Sequence, residues 1–515
     1  MLGLFAAASA CALMTALPSK PEPAPAPVSH EATRGRSLVF ARIVAPPRNL
    51  LVIVADTLRA DHLSLDGYER PTSPELERYA RSGVTFTSAI APKAKTSPSV
   101  ASLFTGTYPH THGILTCRTA LPQPSVTLAE ILRDRSFTTH AIVANSNVGG
   151  AFQFDQGFES MDEIWADPAS ADARGVTNHA LAWLAGRTAS KAGRPFFLYL
   201  HYIDPHTPYA APAPWTDMFV NDGLYGRLSH IQVPEGTRFM GSIRPSARLE
   251  ARPTDVDYYV ARYDAEIAYL DHHLGRLFEG LGRLGLDRDT LVVFTADHGE
   301  ALWEHGVFFA HGAFAYEDAA RVPLVIVSPG QVPAGGHIAR TVETVSLAPT
   351  VLQALGFAPP PSMEVEGFWD LAGGEDIERG AAGTAFIEAD ISPGSLRSAI
   401  RDDRWKLIEN PEGFDRTPGR FVLPIVMNMN QKERGLRLAA KGREFLSRRE
   451  LYDLAVDPGE TMNLASSRPD IVEALSPRLH AWRALGDGKP RLLPVRNRDL
   501  PEEVLRDLES LGYVR

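Results

Sequence analysis

Five short runs of apolar, β-branched and aromatic residues recur along the chain, at Leu50 to Ala55, Ala141 to Ala144, Phe196 to Tyr202, Leu291 to Ala296 and Val322 to Val327. Runs that are apolar on both faces suit strands buried on both sides, as in a parallel sheet covered by helices. Amphipathic patterns lie between them. The clearest places Val260, Tyr263, Ile267, Leu270, Leu274, Leu277 and Leu281 at alternating spacings of three and four. That spacing predicts one apolar stripe along a helix ending near Gly280 or Gly282, with packing as its role. Strands alternating with helices predict an α/β fold: a large, mostly parallel sheet flanked by helices.

A chain of 515 residues exceeds what one core usually holds, roughly 250 to 300 residues, so a second unit is expected. After about residue 370 the pattern changes to short strand-like pieces, Ser398 to Ile400, Trp405 to Ile408 and Glu450 to Leu454, with a turn at Asp457-Pro458-Gly459. These predict a smaller C-terminal α+β domain containing an antiparallel sheet. The tail, Pro501 to Val514, spaces Val504, Leu505, Leu508 and Leu511 as a helix would. The expected divisions are 1–37 for a signal peptide and Pro-rich linker, 47–370 for the catalytic α/β domain, 371–490 for the α+β subdomain, and 491–515 for a terminal helical tail.

Leu2 to Leu17 is apolar, too short for an ordinary membrane span, and leads into Pro-rich Pro18 to Val28. This is the pattern of a signal peptide and extended linker, so the chain is expected to be exported to the periplasm or beyond, with no stable span in the mature chain. Ala8-Ser9-Ala10-Cys11 resembles a lipoprotein processing site with Ala where Leu is expected, which leaves a lipid anchor as the alternative. Cys11 and Cys117 are the only cysteines, so no disulfide framework is available to the mature chain. The net charge of -10 argues against nucleic acid as a partner.

In parallel sheets ligands bind beyond the carboxyl ends of the strands, and polar residues gather there: Asp56 after the first run, Asn145 after the second, Asp204 and His206 after the third, Asp297 and His298 after the fourth. Each alone is more readily a turn residue or helix cap; their coincidence at one edge points to a site. Asp56, Asp297 and His298 offer two hard carboxylates and an imidazole, a set suited to one divalent ion, Mg, Mn, Zn or Ca. Thr96-Ser97-Pro98-Ser99 reads as a helix start, with Ser97 the cap, Pro98 the first position and Gly106 the end. Thr96 would then stand beside a helix N-terminus and complete the metal shell, an alcohol placed to attack a phosphate or sulfate ester. A second ion held by Asp204 and His206 is an alternative.

Taken together, the motifs resemble the sulfatase family of the alkaline phosphatase superfamily. They are Val54-Ala55-Asp56-Thr57-Leu58-Arg59-Ala60-Asp61, Thr96-Ser97-Pro98-Ser99 with Ser102-Leu103-Phe104-Thr105-Gly106, Asp204-Pro205-His206-Thr207-Pro208-Tyr209, Asp297-His298-Gly299-Glu300 with Glu304-His305-Gly306, and Glu450-Leu451-Tyr452-Asp453-Leu454. The resemblance implies Asp56, Asp297 and His298 as metal ligands, Thr96 as nucleophile and ligand, and His206 as a contact for the substrate anion. It also places His311 where many relatives have a substrate-binding Lys, and Asn145 or Asn147 near the family's second basic pair.

The chain departs from that pattern. Thr96 stands where sulfatases carry a Cys or Ser that becomes formylglycine, Val100 stands where they carry Arg, and Ala55 takes the place of the first Asp of an Asp-Asp pair. A formylglycine hydrate can eliminate sulfate, whereas a sulfated threonine needs water to attack sulfur directly. Threonine therefore favours phosphoryl or phosphonyl transfer, and the expected activity is metal-dependent cleavage of a phosphate or sulfate ester on a small molecule, glycan or lipid. Three alternatives stand beside it: a sulfuric ester hydrolase without formylglycine, an envelope phosphoethanolamine or phosphoglycerol transferase, and a binding protein that keeps the fold without turnover.

Overall fold

The computed structural model of the chain describes residues 46–511 except 168, 191–192, 221, 229–230, 232–255, 375–382, 391–395, 411–446 and 490–491. The segment read as signal and linker, Cys11 with it, lies outside the described residues, as does the last stretch of the tail.

The apolar runs extend in one nine-stranded sheet made of β1 (Asn49–Ala55), β2 (Val84–Ile90), β3 (Thr138–Val143), β4 (Ser160–Glu163), β5 (Phe196–Tyr202), β6 (Thr290–Ala296), β7 (Arg321–Val327), β8 (Gly336–Ile338) and β9 (Val342–Glu343). Its order is β4-β3-β5-β1-β6-β7-β2-β8, with β9 paired to β2. Every residue of β1, β5 and β6 is buried, as their two-sided apolar character requires. Pairings among β4, β3, β5, β1 and β6, and from β2 to β8 and β9, are parallel. β7 is antiparallel to both β6 and β2. The expectation of a parallel strand at Val322 to Val327 is therefore corrected: an apolar run encodes burial and carries no direction.

A second sheet, β10 (Thr384–Ala389), β11 (Arg397–Asp402), β12 (Trp405–Glu409) and β13 (Arg449–Asp453), is antiparallel throughout. It packs against the first, with Ile90 and Tyr316 buried in one cluster with Ala385, Ile387 and Tyr452. The helix Pro469–Ala484 covers its other side through Leu475, Leu479 and Trp482. The tail helix Glu502–Ser510 buries Val504 and Leu508 in the main core.

The long helix runs Val256–Arg283, passing through Gly280 and Gly282 before the chain turns at Gly285, φ 67°. Its stripe is buried as the spacing predicts. Its role exceeds packing, because buried polar residues on it hold the loop after β1: Tyr263 OH donates to Thr57 O at 2.7 Å and accepts from Arg59 N at 3.0 Å.

Candidate active site

Sheet register brings the strand-end residues together. Ala55 pairs with Ala296 across β1 and β6, so the next residues, Asp56 and Asp297, emerge side by side. β5 flanks β1 on its other edge and β3 lies beyond it, which delivers Asn145 to the same place. After β1 the backbone turns sharply at Thr57, φ 59°, a left-handed conformation uncommon for a residue with a Cβ. The turn aims Thr57 N at Asp297 Oδ1, 3.2 Å away, and the same oxygen accepts from His298 N at 2.8 Å.

One oxygen of each carboxylate is thereby used and the other left over. Asn145 Nδ2 donates to Asp56 Oδ2 at 2.6 Å, while Asp56 Oδ1 and Asp297 Oδ2 are buried without a hydrogen-bond partner. His298 Nδ1 donates to Gly299 O at 2.9 Å, so in the neutral ring the lone pair is on Nε2, 3.5 Å from Asp297 Oδ2 and 3.9 Å from Asp56 Oδ1. Burial, then repulsion from His311, lowers the His298 pKa to about 3 and keeps the ring neutral. Burial pushes Asp56 up, but the His201 hydrogen bond and the surrounding imidazoles outweigh it and hold Asp56 below the usual carboxylate range. Burial and the Asp56 charge push Asp297 up. Two buried carboxylates that resist joint ionisation, with free oxygens aimed at a neutral imidazole nitrogen, form a donor set that a divalent cation completes. Among the described residues this is the one such cluster, its ligand atoms within 4.8 Å of one another.

Thr96 reaches the cluster from the start of the helix that follows β2, with Oγ1 3.5 Å from His298 Nε2. Its helix is Thr96–Thr105, with Lys95 at the N-cap and Gly106 closing it at φ 64°. The expectation of Ser97 as cap and Pro98 as first position is corrected by two residues, to Lys95 and Thr96. Ser97 Oγ donates to Asn147 O at 3.1 Å and Ser99 Oγ to Asp297 O at 2.6 Å, so both hydroxyls tie the helix to the site. Val100 and Ala55 are fully buried among apolar neighbours.

The remaining candidates divide. His206 Nδ1 donates to Thr207 O at 2.8 Å, and its ring lies 5.6 Å from that of His311. His311 is 4.5 Å ring to ring from His298, is held at Nδ1 by Glu300 Oε1 at 3.2 Å, and has its Nε2 buried without a partner. Asn145 uses both ends of its amide, on Asp56 and on Asn147 N, which makes it a brace. Asn147 keeps both amide atoms buried and unpartnered beside Ser97, so of the two asparagines it is the one free to meet an anion. Among the described residues Asp204 and His206 belong to no cluster of three or more ligating side chains, and the buried Asp204 carboxyl is coupled electrostatically to Glu266 on the long helix.

Sequence reasoning missed His201, Tyr199 and Glu300. His201 Nε2 lies 3.4 Å from Asp56 Oδ2 and its Nδ1 lies 3.0 Å from Tyr199 OH. A histidine inside an otherwise apolar run, two residues from a tyrosine and so on the same strand face, was the available signal.

Comparison with known proteins agrees with this architecture. The Sulfatase family model matches residues 48–357, and the model described as N-sulphoglucosamine sulphohydrolase, C-terminal, matches residues 303–416. The chain is 28% identical over 392 residues to the multifunctional alkaline phosphatase superfamily protein PehA of Trinickia caryophylli, covering 61% of this chain and 74% of that one. A solved structure of a protein in complex with its substrate D-glucosamine-2-N,6-O-disulfate superposes with a TM-score of 0.66 at 18% identity, covering 87% of this chain and 99% of the other. The phosphonate monoester hydrolase of Agrobacterium radiobacter superposes with a TM-score of 0.61 at 21% identity, covering 85% and 96%. At these identities the two structures establish the fold. Among the described residues no helix is long and apolar enough to cross a membrane.

Proposed function

This chain belongs to the sulfatase family of ester hydrolases, and we propose that it cleaves a phosphate or phosphonate ester with Thr96 as nucleophile and one divalent cation held by Asp56, Asp297, His298 and the Thr96 oxygen. The observation that carries this reading is the placement of Thr96 Oγ1 3.5 Å from His298 Nε2, at a cluster whose two free carboxylate oxygens have no donor. The cation, when bound, supplies charge neutralisation and a lowered hydroxyl pKa. Thr96 Oγ1 attacks phosphorus as its proton leaves to solvent, the bond to the leaving alcohol breaks, and His206 or His311 delivers a proton to that oxygen. Asn147 and the N-terminal N–H groups of the Thr96 helix hold the oxygens of the transferring group. Water then attacks phosphorus, the bond to Thr96 breaks, and the hydroxyl is restored.

Sulfate esters are the second reading, favoured by family membership. Paired assays on an aryl sulfate, a phosphate monoester, a phosphate diester and an aryl phosphonate separate the two, joined to mass spectrometry of the Thr96 peptide from protein quenched during turnover. Phosphorylated Thr96 is the expected result. Turnover confined to aryl sulfate, or full activity in a Thr96→Ala protein, would reject the reading. We place the mature chain outside the cytoplasm, from the Leu2 to Leu17 segment and its Pro-rich successor; fractionation of cells expressing the full chain tests this.

A further inference from the structure

We propose that His201 is a positioning residue that, together with Asn145, dictates which oxygen of Asp56 faces the cation. The proposal rests on the metal site of the preceding reading. β5 lies between β1 and β3, and its register sets His201 opposite Val54 on one side and Val143 on the other. The imidazole is fully buried in the layer just beneath the site.

Asp56 Oδ2, as a carboxylate oxygen, accepts, which assigns the hydrogen of a neutral His201 ring to Nε2 and leaves Nδ1 to accept. Tyr199 OH, with a single hydrogen, donates to His201 Nδ1 at 3.0 Å. The hydrogen of the neutral ring is then on Nε2, which points at Asp56 Oδ2, 3.4 Å away. Asn145 Nδ2 donates to that same oxygen at 2.6 Å. Oδ2 thus receives two donors and Oδ1 none. A carboxylate free to rotate would present either oxygen, whereas this one offers Oδ1 alone, on the side of His298 Nε2. Donors to the second oxygen of a ligating carboxylate, and the partners that fix an imidazole tautomer, tune metal affinity in this way. The line also reaches the nucleophile: the Tyr199 ring stands edge-on to Phe104 of the Thr96 helix, centroids 4.8 Å apart. The cation side and the hydroxyl side of the site are therefore set by one packed column.

The test is titration of Mn2+ into metal-stripped, full-length protein by calorimetry, for wild type, His201→Phe, His201→Gln and Tyr199→Phe, with thermal melts in chelator as the control for folding. His201→Phe should weaken Mn2+ binding by about ten- to a hundredfold. His201→Gln, whose amide N–H can occupy the Nε2 position, should recover most of that loss, and Tyr199→Phe should fall between. A role in packing alone would lower the chelator melts of His201→Phe and leave the affinity of every folded variant within twofold of wild type; that result overturns the proposal, as does a His201→Gln protein as weak as His201→Phe. If His201→Phe does not fold, an unchanged affinity in both other variants overturns it equally. Wild-type protein that binds no Mn2+ rejects the metal site and this proposal with it, whereas a sulfate preference in the ester assays rejects only the phosphoryl reading.

Discussion

Thr96 Oγ1 lies 3.5 Å from His298 Nε2 although the two residues are 202 positions apart in sequence. A helix N-terminus and a strand end must each be placed correctly for that distance to arise, and the hydroxyls of Ser97 and Ser99 lock the helix to the turn and the strand end around it. Replacing Thr96 with Ala removes the oxygen proposed as the nucleophile, together with one buried methyl group. The expected outcome is a loss of kcat/KM of roughly a thousandfold or more in a protein that still folds, with the small fall in melting temperature that a deleted buried methyl brings, and partial activity in Thr96→Ser. Steady-state kinetics on the preferred ester, beside thermal melts, provide the check.

Gly299 sits between the metal-site turn and the segment carrying Asp318. A Cβ there would collide with the Asp318 carbonyl oxygen and come within 3.2 Å of Arg59 Cγ. Backbone cannot yield cheaply, so Gly299→Ala should shift Asp297 and His298. A cost of about 1–3 kcal/mol in stability is expected from the overpacking, together with weaker cation binding. Chemical denaturation and calorimetric Mn2+ titration of the same protein measure both, and an Ala variant with wild-type affinity would show that the turn is less constrained than its contacts imply.

Much of this arrangement was legible in the chain, for reasons that differ by residue. Asp56 and Asp297 could be read as neighbours because each follows a run apolar on both faces, and such strands share one sheet whose carboxyl ends lie together. β2 was missed because Thr85, Thr87 and Ser88 interrupt its apolar pattern, and β10 because Thr384 and Glu388 leave only a short apolar stretch. The direction of β7 has no local signature. Ser97 looked like a cap since its type favours that position, yet its hydroxyl is drawn to Asn147 O by a contact 50 residues away. His201 was hidden by its setting among apolar residues.

Lys406 illustrates a part of the fold with no trace in sequence pattern. Its side chain on β12 is fully buried, with Nζ 2.9 Å from Glu317 Oε1 and 2.9 Å from Glu460 Oε1, so it joins the second sheet to the segment just before β7. Removing the cation leaves two buried carboxylates without the charge between them, with Arg401 Nε 3.2 Å from Glu317 Oε2 as the remaining partner. Lys406→Met should cost about 3–5 kcal/mol, read as a fall in the denaturation midpoint, and adding Glu317→Gln should restore part of it. Equal midpoints for wild type and Lys406→Met would contradict the pairing.

Asp204 and Glu266 give the clearest pH dependence. Both are buried, at 7% and 4% exposure, and each lies within the other's electrostatic reach, so burial and mutual repulsion favour a protonated carboxyl in the pair. Burial, then the Asp172 charge, raises Asp204 to about 7; burial, then Asp204 itself, raises Glu266. A carboxyl with a raised folded pKa binds more protons folded than unfolded between its usual value near 4 and its folded value near 7, so stability falls as pH rises through that window. The loss is on the order of 2–4 kcal/mol, at about 1.4 kcal/mol per pKa unit. Glu266 Oε1 also accepts from Ala210 N, so the pair anchors both ends of the loop that carries His206. Melting temperatures measured from pH 5 to pH 8 should therefore decline for wild type and decline less for Asp204→Asn, whose amide can donate to Glu266 at every pH. Parallel curves for the two proteins would mean that Asp204 takes up no extra proton on folding, and that the His206 loop is held by its other contacts.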